Sequence, residues 1–327
     1  MMGDMMTHRI RVALAILATW VASTAGAAAQ TWPTKPLRAF IPFAAGSATD
    51  LVPRAVFEPL ATELGQPIIV ENRGGAGGTI AGNAVVRADP DGHTMLAAGT
   101  ALTIAPWIVP NMPYDTVREL AGALMIGQSA DVLIVPPARG WKTVRDLVAA
   151  AKARPGSINY SSAGVGTGTH LNAEKFRLSA GFEAVHIPYK GGGSATQDVV
   201  SGQVPLTFEN PAVSLPLVLA GQIRALAVTS DARNPRIPEV PTLSETIPGF
   251  VSASFTGIVT PAGVSHAIIA RLNSAINESL KAPAVRATLA QLSVELKPGT
   301  PEEFGAFPAT ERAKWLAVAQ AANIQLD

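Results

Sequence analysis

Two stretches of small, hydroxyl-bearing residues are the best placed to do chemistry. Phe43-Ala44-Ala45-Gly46-Ser47-Ala48-Thr49-Asp50 follows an apolar run and opens a helical pattern. Ser161-Ser162-Ala163-Gly164-Val165-Gly166-Thr167-Gly168-Thr169-His170 has the same place in a second strand–loop–helix unit. At such a junction the helix's first N–H groups lack internal partners and attract anions. Small residues let the backbone approach a ligand closely. In the first loop the Ser47 and Thr49 hydroxyls add donors, making an uncharged anion site; a tight turn with an ordinary helix cap is the plainer alternative. The second loop is rich in hydroxyls and glycine and has no acidic residue. Its Gly164-x-Gly166 start reaches Thr169 where a dinucleotide fingerprint needs Gly or Ala, so a nucleotide site is not expected.

Other candidates are weaker. Tyr189-Lys190-Gly191-Gly192-Gly193-Ser194 is a third such junction. Its Lys190 could meet an anion, but a lone lysine is more often a solvated surface charge. Glu209-Asn210 follows another strand, where side chains could line a cleft. Catalytic patterns are missing: there is no Gly-x-Ser-x-Gly elbow and no His-Glu-x-x-His. His93, His170, His186 and His266 show no metal-ligand spacing. Ser162 and His170 could pair as nucleophile and base, but they straddle a loop and a helix start, which favours capping or hydrogen bonding. No cofactor, metal or catalytic residue is expected.

The elements around these loops alternate in type. Leu37–Ile41 reads as a strand and Thr49–Leu64 as a helix, followed by a short buried strand at Ile68–Val70 and a helix over Ile80–Ala88. Thr94–Ala98 and Val132–Val135 are strands. Val144, Leu147, Val148 and Ala151 share one helical face, which Pro155-Gly156 terminates. Strands follow at Ile158–Tyr160, Ala184–Ile187, Pro205–Phe208 and Ile223–Val228, with a helix starting near Thr169. Ile269, Leu272, Ile276 and Leu280 form an apolar stripe, and Thr300-Pro301-Glu302-Glu303 is a capping box that opens a last helix through Trp315. This alternation implies an α/β fold of parallel sheets covered by helices. The Pro/Gly-rich stretches Pro136–Gly140 and Asn234–Pro248 read as surface loops.

The start of the chain reads differently. His8, Arg9 and Arg11 precede the apolar run Val12–Val21, and Ala27-Ala28-Ala29 supplies a small-residue cleavage site. That is the pattern of a secretory signal peptide over residues 1–29. The run is too short for a membrane span, which needs about 18 apolar residues, so a soluble exported protein is expected. Cysteine is absent, which removes thiol catalysis and zinc–thiolate or iron–sulfur sites and suits a periplasm. Net charge is +1 for the whole chain, with no basic run, so no nucleic-acid partner is expected. About 300 residues beyond the leader exceed one ordinary core, and two lobes are expected.

Read together, these stretches resemble the receptors of tripartite tricarboxylate transporters, the Bug family of periplasmic solute-binding proteins. Further matching segments are Trp32-Pro33-Thr34-Lys35-Pro36, Val70-Glu71-Asn72-Arg73, Gly75-Ala76-Gly77-Gly78-Thr79 and Asp89-Pro90-Asp91-Gly92. Met112-Pro113-Tyr114-Asp115, His186-Ile187-Pro188-Tyr189-Lys190, Arg224-Ala225-Leu226-Ala227-Val228 and Pro238-Glu239-Val240-Pro241-Thr242 continue the series. The resemblance implies a two-lobed Venus-flytrap fold, that of the type 2 periplasmic binding proteins. The chain would cross between lobes near Leu124–Gln128 and Phe255–Thr260. Residues 30–127 plus 252–327 would form one lobe and 128–251 the other. It also implies a small carboxylate ligand (a di- or tricarboxylate, an acidic amino acid or an aromatic acid), delivered by a monomer to membrane permease subunits. A partner of a membrane sensor and a periplasmic hydrolase are the competing readings.

Carried over by position, the ligand site would include Phe43, Ala45, Gly46, Ser47 and Asp50 from one lobe and Ser162, Gly166, Thr167 and His170 from the other, with Thr100 and Asn210 beside them. One departure stands out: Ala45-Gly46-Ser47 replaces the family's usual Pro-Gly-Gly, so Ser47 adds a hydroxyl where the ligand should come closest. Asp50 could cap its helix or meet a ligand ammonium group.

Overall fold

The computed structural model describes residues 32–326, and every helix and strand named below lies in the unit Pro36–Asp327. The expected signal peptide lies outside the described residues. Among the described residues no helix is long and apolar enough to cross a membrane.

Two mixed sheets form the frame. The strands of the first are β1 (Leu37–Ile41), β2 (Ile68–Asn72), β3 (Thr94–Gly99), β4 (Leu120–Ser129), β10 (Ser254–Pro261) and β11 (Glu295–Leu296), in the order β11-β4-β10-β3-β1-β2. The second contains β5 (Val132–Val135), β6 (Asn159–Ser162), β7 (Val185–Pro188), β8 (Thr207–Glu209) and β9 (Arg224–Val228), in the order β7-β6-β8-β5-β9. Their helices are α1 (Ala48–Leu64), α2 (Thr79–Val86), α3 (Thr100–Ile108), α4 (Val144–Ala153), α5 (Gly168–Ala180), α6 (Gly192–Val200), α7 (Pro211–Leu219), α8 (His266–Lys281), α9 (Pro283–Gln291) and α10 (Pro301–Ala321).

The chain moves from the first sheet to the second directly after β4 and returns between β9 and β10. Each return reverses direction. β5 is therefore antiparallel to β8, with Val132 opposite Glu209, and β10 is antiparallel to β3, with Thr256 opposite Gly99. The two stretches at which crossings are expected, Leu124–Gln128 and Phe255–Thr260, are partners inside β4 and β10: Phe255 pairs Gln128 and Ile258 pairs Leu124. The passages themselves start just beyond, after Ser129 and before Ser254.

Burial explains the sequence pattern of β5. Leu133 and Val135 pack with Leu147, Phe176 and Phe208 on one face, while Val132 and Ile134 pack with Val199, Leu215 and Val228 on the other. A central strand buried on both sides must be apolar throughout, which gives Val-Leu-Ile-Val. β2 corrects an expectation. It is an edge strand with one neighbour, and Ile69 is 55% exposed, so it is not the buried strand its composition suggested. The capping boxes behave as the sequence implies at α10, where the Thr300 hydroxyl accepts from the Glu303 N–H and the Glu303 carboxylate accepts from the Thr300 N–H.

Helices of both sheets meet. Leu171 of α5 packs with Ile104 and Ile108 of α3 and with Trp315 of α10 in one buried cluster. The Ala44 N–H donates to the Lys190 carbonyl at 3.2 Å, bridging the loop before α1 to the loop before α6.

Candidate ligand-binding site

A cavity of about 70 Å³ lies where the two sheets face each other. Its walls come from the carboxyl ends of β1, β3 and β8, from the loops and first turns of α1, α3 and α5, and from Ser254–Thr256 at the start of β10. The carboxyl edge of an α/β sheet is where ligands gather. Here the reversed strands β5 and β10 bring their amino ends to that same edge.

Ser47 is the N-cap of α1, yet its side chain makes no capping hydrogen bond. The backbone closes the turn instead: the Asp50 and Leu51 N–H groups both donate to the Ser47 carbonyl. Ser47 is 4% exposed, lines the cavity, and its Oγ has no hydrogen-bond partner. Thr100, the first residue of α3, also lines the cavity with a buried, unpartnered Oγ1. Orphaned buried hydroxyls are costly, so a pair of them in one cavity marks a place meant to be filled.

Asp50 does neither job expected of it as a cap or an ammonium partner. Its Oδ2 accepts from the Gly46 N–H at 2.9 Å, and its Oδ1 accepts from Arg54 Nε at 2.7 Å and Asn72 Nδ2 at 2.9 Å. Asn72 Nδ2 also donates to the Phe43 carbonyl. Burial works to raise the Asp50 carboxyl, but the Gly46 N–H, Asn72 and Arg54 together hold it below the usual carboxylate range. Asp50 thus braces the loop from behind and lies outside the cavity lining.

The second loop satisfies its own polar groups. Thr167 Oγ1 donates to the Gly164 carbonyl at 2.6 Å and accepts from the His170 N–H as the cap of α5. His170 Nδ1 accepts from the Gly166 N–H at 3.1 Å. Ser162 Oγ is 2.7 Å from Nε2 of His186, whose ring stacks on His170 with centroids 3.7 Å apart. Ser162 therefore pairs with His186 rather than His170, and it lies outside the cavity lining. Burial pushes both imidazoles down to about 3, with Arg177 adding to the shift at His170 and His170 adding to it at His186. Both rings are neutral at physiological pH and serve as packing and hydrogen-bonding groups.

Of the residues read from the sequence, Phe43, Ser47, Thr100, Thr167 and Asn210 line the cavity. Ala45 and Gly46 are exposed beside it, and Ser162, Gly166 and His170 belong to the second loop but lie outside the lining. Asn210 caps α7 through Oδ1, which accepts from the Ala212 N–H. Gly168 is required for the approach of the two sheets: a Cβ there would sit 1.9 Å from Ser254 Oγ.

Two further acids line the same cavity, Asp131 and Glu209, 0% and 1% exposed. Burial pushes the Asp131 carboxyl up to about 6, against an Asn172 hydrogen bond and the Lys314 charge. Burial pushes the Glu209 carboxyl up to about 8; the Asn210 N–H opposes this and Asp131 reinforces it. Glu209 stands in a strand–loop junction of the kind the sequence marks as able to line a cleft. Asp131 was missed. The only hint is a lone acid immediately before an unbroken apolar strand, and its position depends on that strand being reversed. Among the described residues no Lys, Arg or His lines the cavity and no acidic or histidine cluster could hold a metal. A wider groove of about 670 Å³ near Pro137, Arg224 and Glu239 lies at the opposite end of β5 and β9, beside the start of α4, whose Thr143 side chain already caps its own helix.

Two α/β layers closing on a lined cavity define the architecture of a solute-binding protein. Residues 52–324 match the model of the tripartite tricarboxylate transporter family receptor, and the chain belongs to that family. It is 34% identical to the protein BugT of Bordetella pertussis over 320 residues, 96% of this chain and 98% of that one. The structure of Rpa4515 from R. palustris with adipate superposes with a TM-score of 0.86 at 31% identity, covering 90% of this chain and 99% of that one. MatC of Rhodopseudomonas palustris with bound malate gives 0.84 at 27% identity, over 88% and 99%. The matched family is one of transporter receptors, and the two-lobed α/β fold is shared with these neighbours.

Proposed function

We propose that this protein is a periplasmic receptor that captures a small carboxylate between two lobes and delivers it to a membrane permease. The observation that carries the reading is the pair of buried, unpartnered hydroxyls, Ser47 Oγ and Thr100 Oγ1, at helix starts in one cavity. The first-turn N–H groups of α1 and α5 approach this cavity from opposite sheets, and each helix presents the positive end of its dipole. A carboxylate there gains hydrogen bonds from both sides without a cationic side chain. Such a ligand favours the closed arrangement because only closure brings the second set of donors to it.

The lobes in this proposal are residues 30–127 with 252–327, and 128–251. The separation of strands into two sheets with adjacent crossings supports that division. Export by cleavage of residues 1–29, action as a monomer and the absence of catalysis belong to the same proposal. Adipate and malate in the related structures support the ligand class.

Thermal denaturation of the purified protein against mono-, di-, tricarboxylic and aromatic acids and acidic amino acids tests it. A ligand present at about 1,000 times its Kd stabilises by roughly 4 kcal/mol, so a selective rise of several degrees is expected. A flat response across all these acids would defeat the carboxylate reading.

A further inference from the structure

We propose that the ligand carries a protonated amine in addition to its carboxylate, and that Asp131 and Glu209 receive that amine. This rests on the carboxylate reading of the cavity and narrows it to amino acids.

Asp131 sits at the first passage between the sheets, directly after β4. Its Oδ2 accepts from Asn172 Nδ2 at 2.7 Å, while its Oδ1 is buried, has no partner and belongs to a residue lining the cavity. Glu209 is opposite Val132 across β8 and β5, so the two acids arrive at the same edge. Its Oε1 accepts from the Asn210 N–H at 2.8 Å and its Oε2 from Thr196 Oγ1 at 3.2 Å. Each carboxylate oxygen has two lone pairs, so capacity remains on both. The Glu209 carboxylate packs directly on Gly192, where a Cβ would lie 2.3 Å from its Oε2.

The cavity therefore offers partners to both signs of charge. Its lining holds the first turns of α1 and α5 and the Ser47 and Thr100 hydroxyls, which suit an anion, together with two acids and no cation. Buried charges are tolerated when they are paired, and a ligand ammonium supplies the missing partner. At pH 8, where Asp131 is ionised and Glu209 begins to be, a second carboxylate placed there meets like charge instead. Lys314 does not fill the role; its ammonium acts on Asp131 from outside the lining and lies 3.5 Å from the Ala253 carbonyl.

The same contact reaches the second passage. Asn172 Oδ1 accepts from Ser252 Oγ at 2.5 Å, and the Ser252 carbonyl accepts from Thr229 Oγ1, which in turn accepts from the Asp131 N–H. A ligand amine on Asp131 thus touches a buried network that ties both chain crossings together.

Isothermal titration calorimetry of the purified protein at pH 8 with matched acids decides the matter. The pairs are alanine and propionate, 4-aminobutyrate and butyrate, aspartate and succinate, and glutamate and glutarate; each differs only by the amine. The amine-bearing member of at least one pair should bind about tenfold or more tightly than its partner, the size of one charge-assisted hydrogen bond. Asp131→Asn should erase that preference while retaining an acceptor for Asn172. Glu209→Gln provides the second variant, with unliganded melting temperatures showing that each still folds. Amine-free acids binding as tightly or more tightly in every pair would overturn the inference and leave the carboxylate reading standing. A preference that survives both substitutions would overturn it as well. Silence from all eight acids would remove the carboxylate reading and this inference together.

Discussion

The loop before α1 and the loop before α5 share one sequence grammar, an apolar strand followed by small and hydroxyl residues that open a helix, yet they spend their polar groups differently. In the second loop Thr167 caps its helix, the Gly166 N–H donates to His170, and Ser162 is held by His186 of β7. In the first, Asp50 does the bracing from behind and Ser47 is left with an idle hydroxyl in the cavity. The second loop is a wall whose hydroxyls are already engaged within the protein. The first is a braced platform with a donor held in reserve. A hydroxyl at a helix start therefore indicates a binding group only when something else closes the turn.

Substitutions can break this comparison, and the largest effect should come from the point where the walls meet. Gly168→Val places a side chain against Ser254 and should weaken ligand binding on the order of a hundredfold, because the closed state becomes scarce. Calorimetry reads that loss. The unliganded melting temperature, read alongside, should fall far less than the affinity, since each sheet keeps its own core.

The next effect separates the hydroxyls. Ser47→Ala removes no internal hydrogen bond, so folding stability should change by less than about 0.5 kcal/mol, while ligand affinity falls roughly tenfold. Thr167→Ala removes a cap and should cost about 1 kcal/mol of stability in urea denaturation. Equal stability losses in the two variants would erase the distinction drawn between the loops.

Acid sharpens it further. The Asp50 carboxyl is held below its ordinary 3.8 in the folded state. Its contribution is present above that value and is lost as pH falls through the folded one. Thermal melts below pH 4 should show the first loop's brace failing, and Asp50→Asn should flatten that part of the profile. Glu209 has the opposite sign. Its folded value near 8 exceeds its ordinary 4.5, so the folded protein holds a proton that the unfolded chain releases. Stability of the unliganded protein should fall as pH rises from about 4.5 to 8. Asp131 adds to this slope at its lower end, with Lys314 opposing. Glu209→Gln should remove the upper part of the slope.

Much of the frame was legible because it rests on local rules. The Val132–Val135 run, the Val144 helix face and the Thr300 capping box carry their own periodicity or cap. Strands β4 and β10 were not read as strands, because Gly122, Gly127 and Gly257 interrupt their apolar pattern. Those glycines answer to tertiary neighbours: a Cβ on Gly257 would meet the Phe304 ring, and one on Gly127 the Glu295 carbonyl. The candidate site divides in the same way. Ser47 and Thr167 follow the rule that ligands gather where strands end and helices begin. Asp131 sits at the start of a strand, and only the reversal of β5 brings it to that edge. Asp50 looked like a ligand group because a sequence does not reveal that Arg54, Asn72 and the Gly46 N–H converge on it.

A crystal structure of the protein grown with the tightest-binding acid from the calorimetric series tests the central claim most directly. The account predicts a carboxylate within hydrogen-bond distance of Ser47 Oγ and of the first turns of α1 and α5, with the amine directed at Asp131. A ligand seated in the groove beside Pro137 and Arg224, or in the cavity with Ser47 still unpartnered, would contradict it.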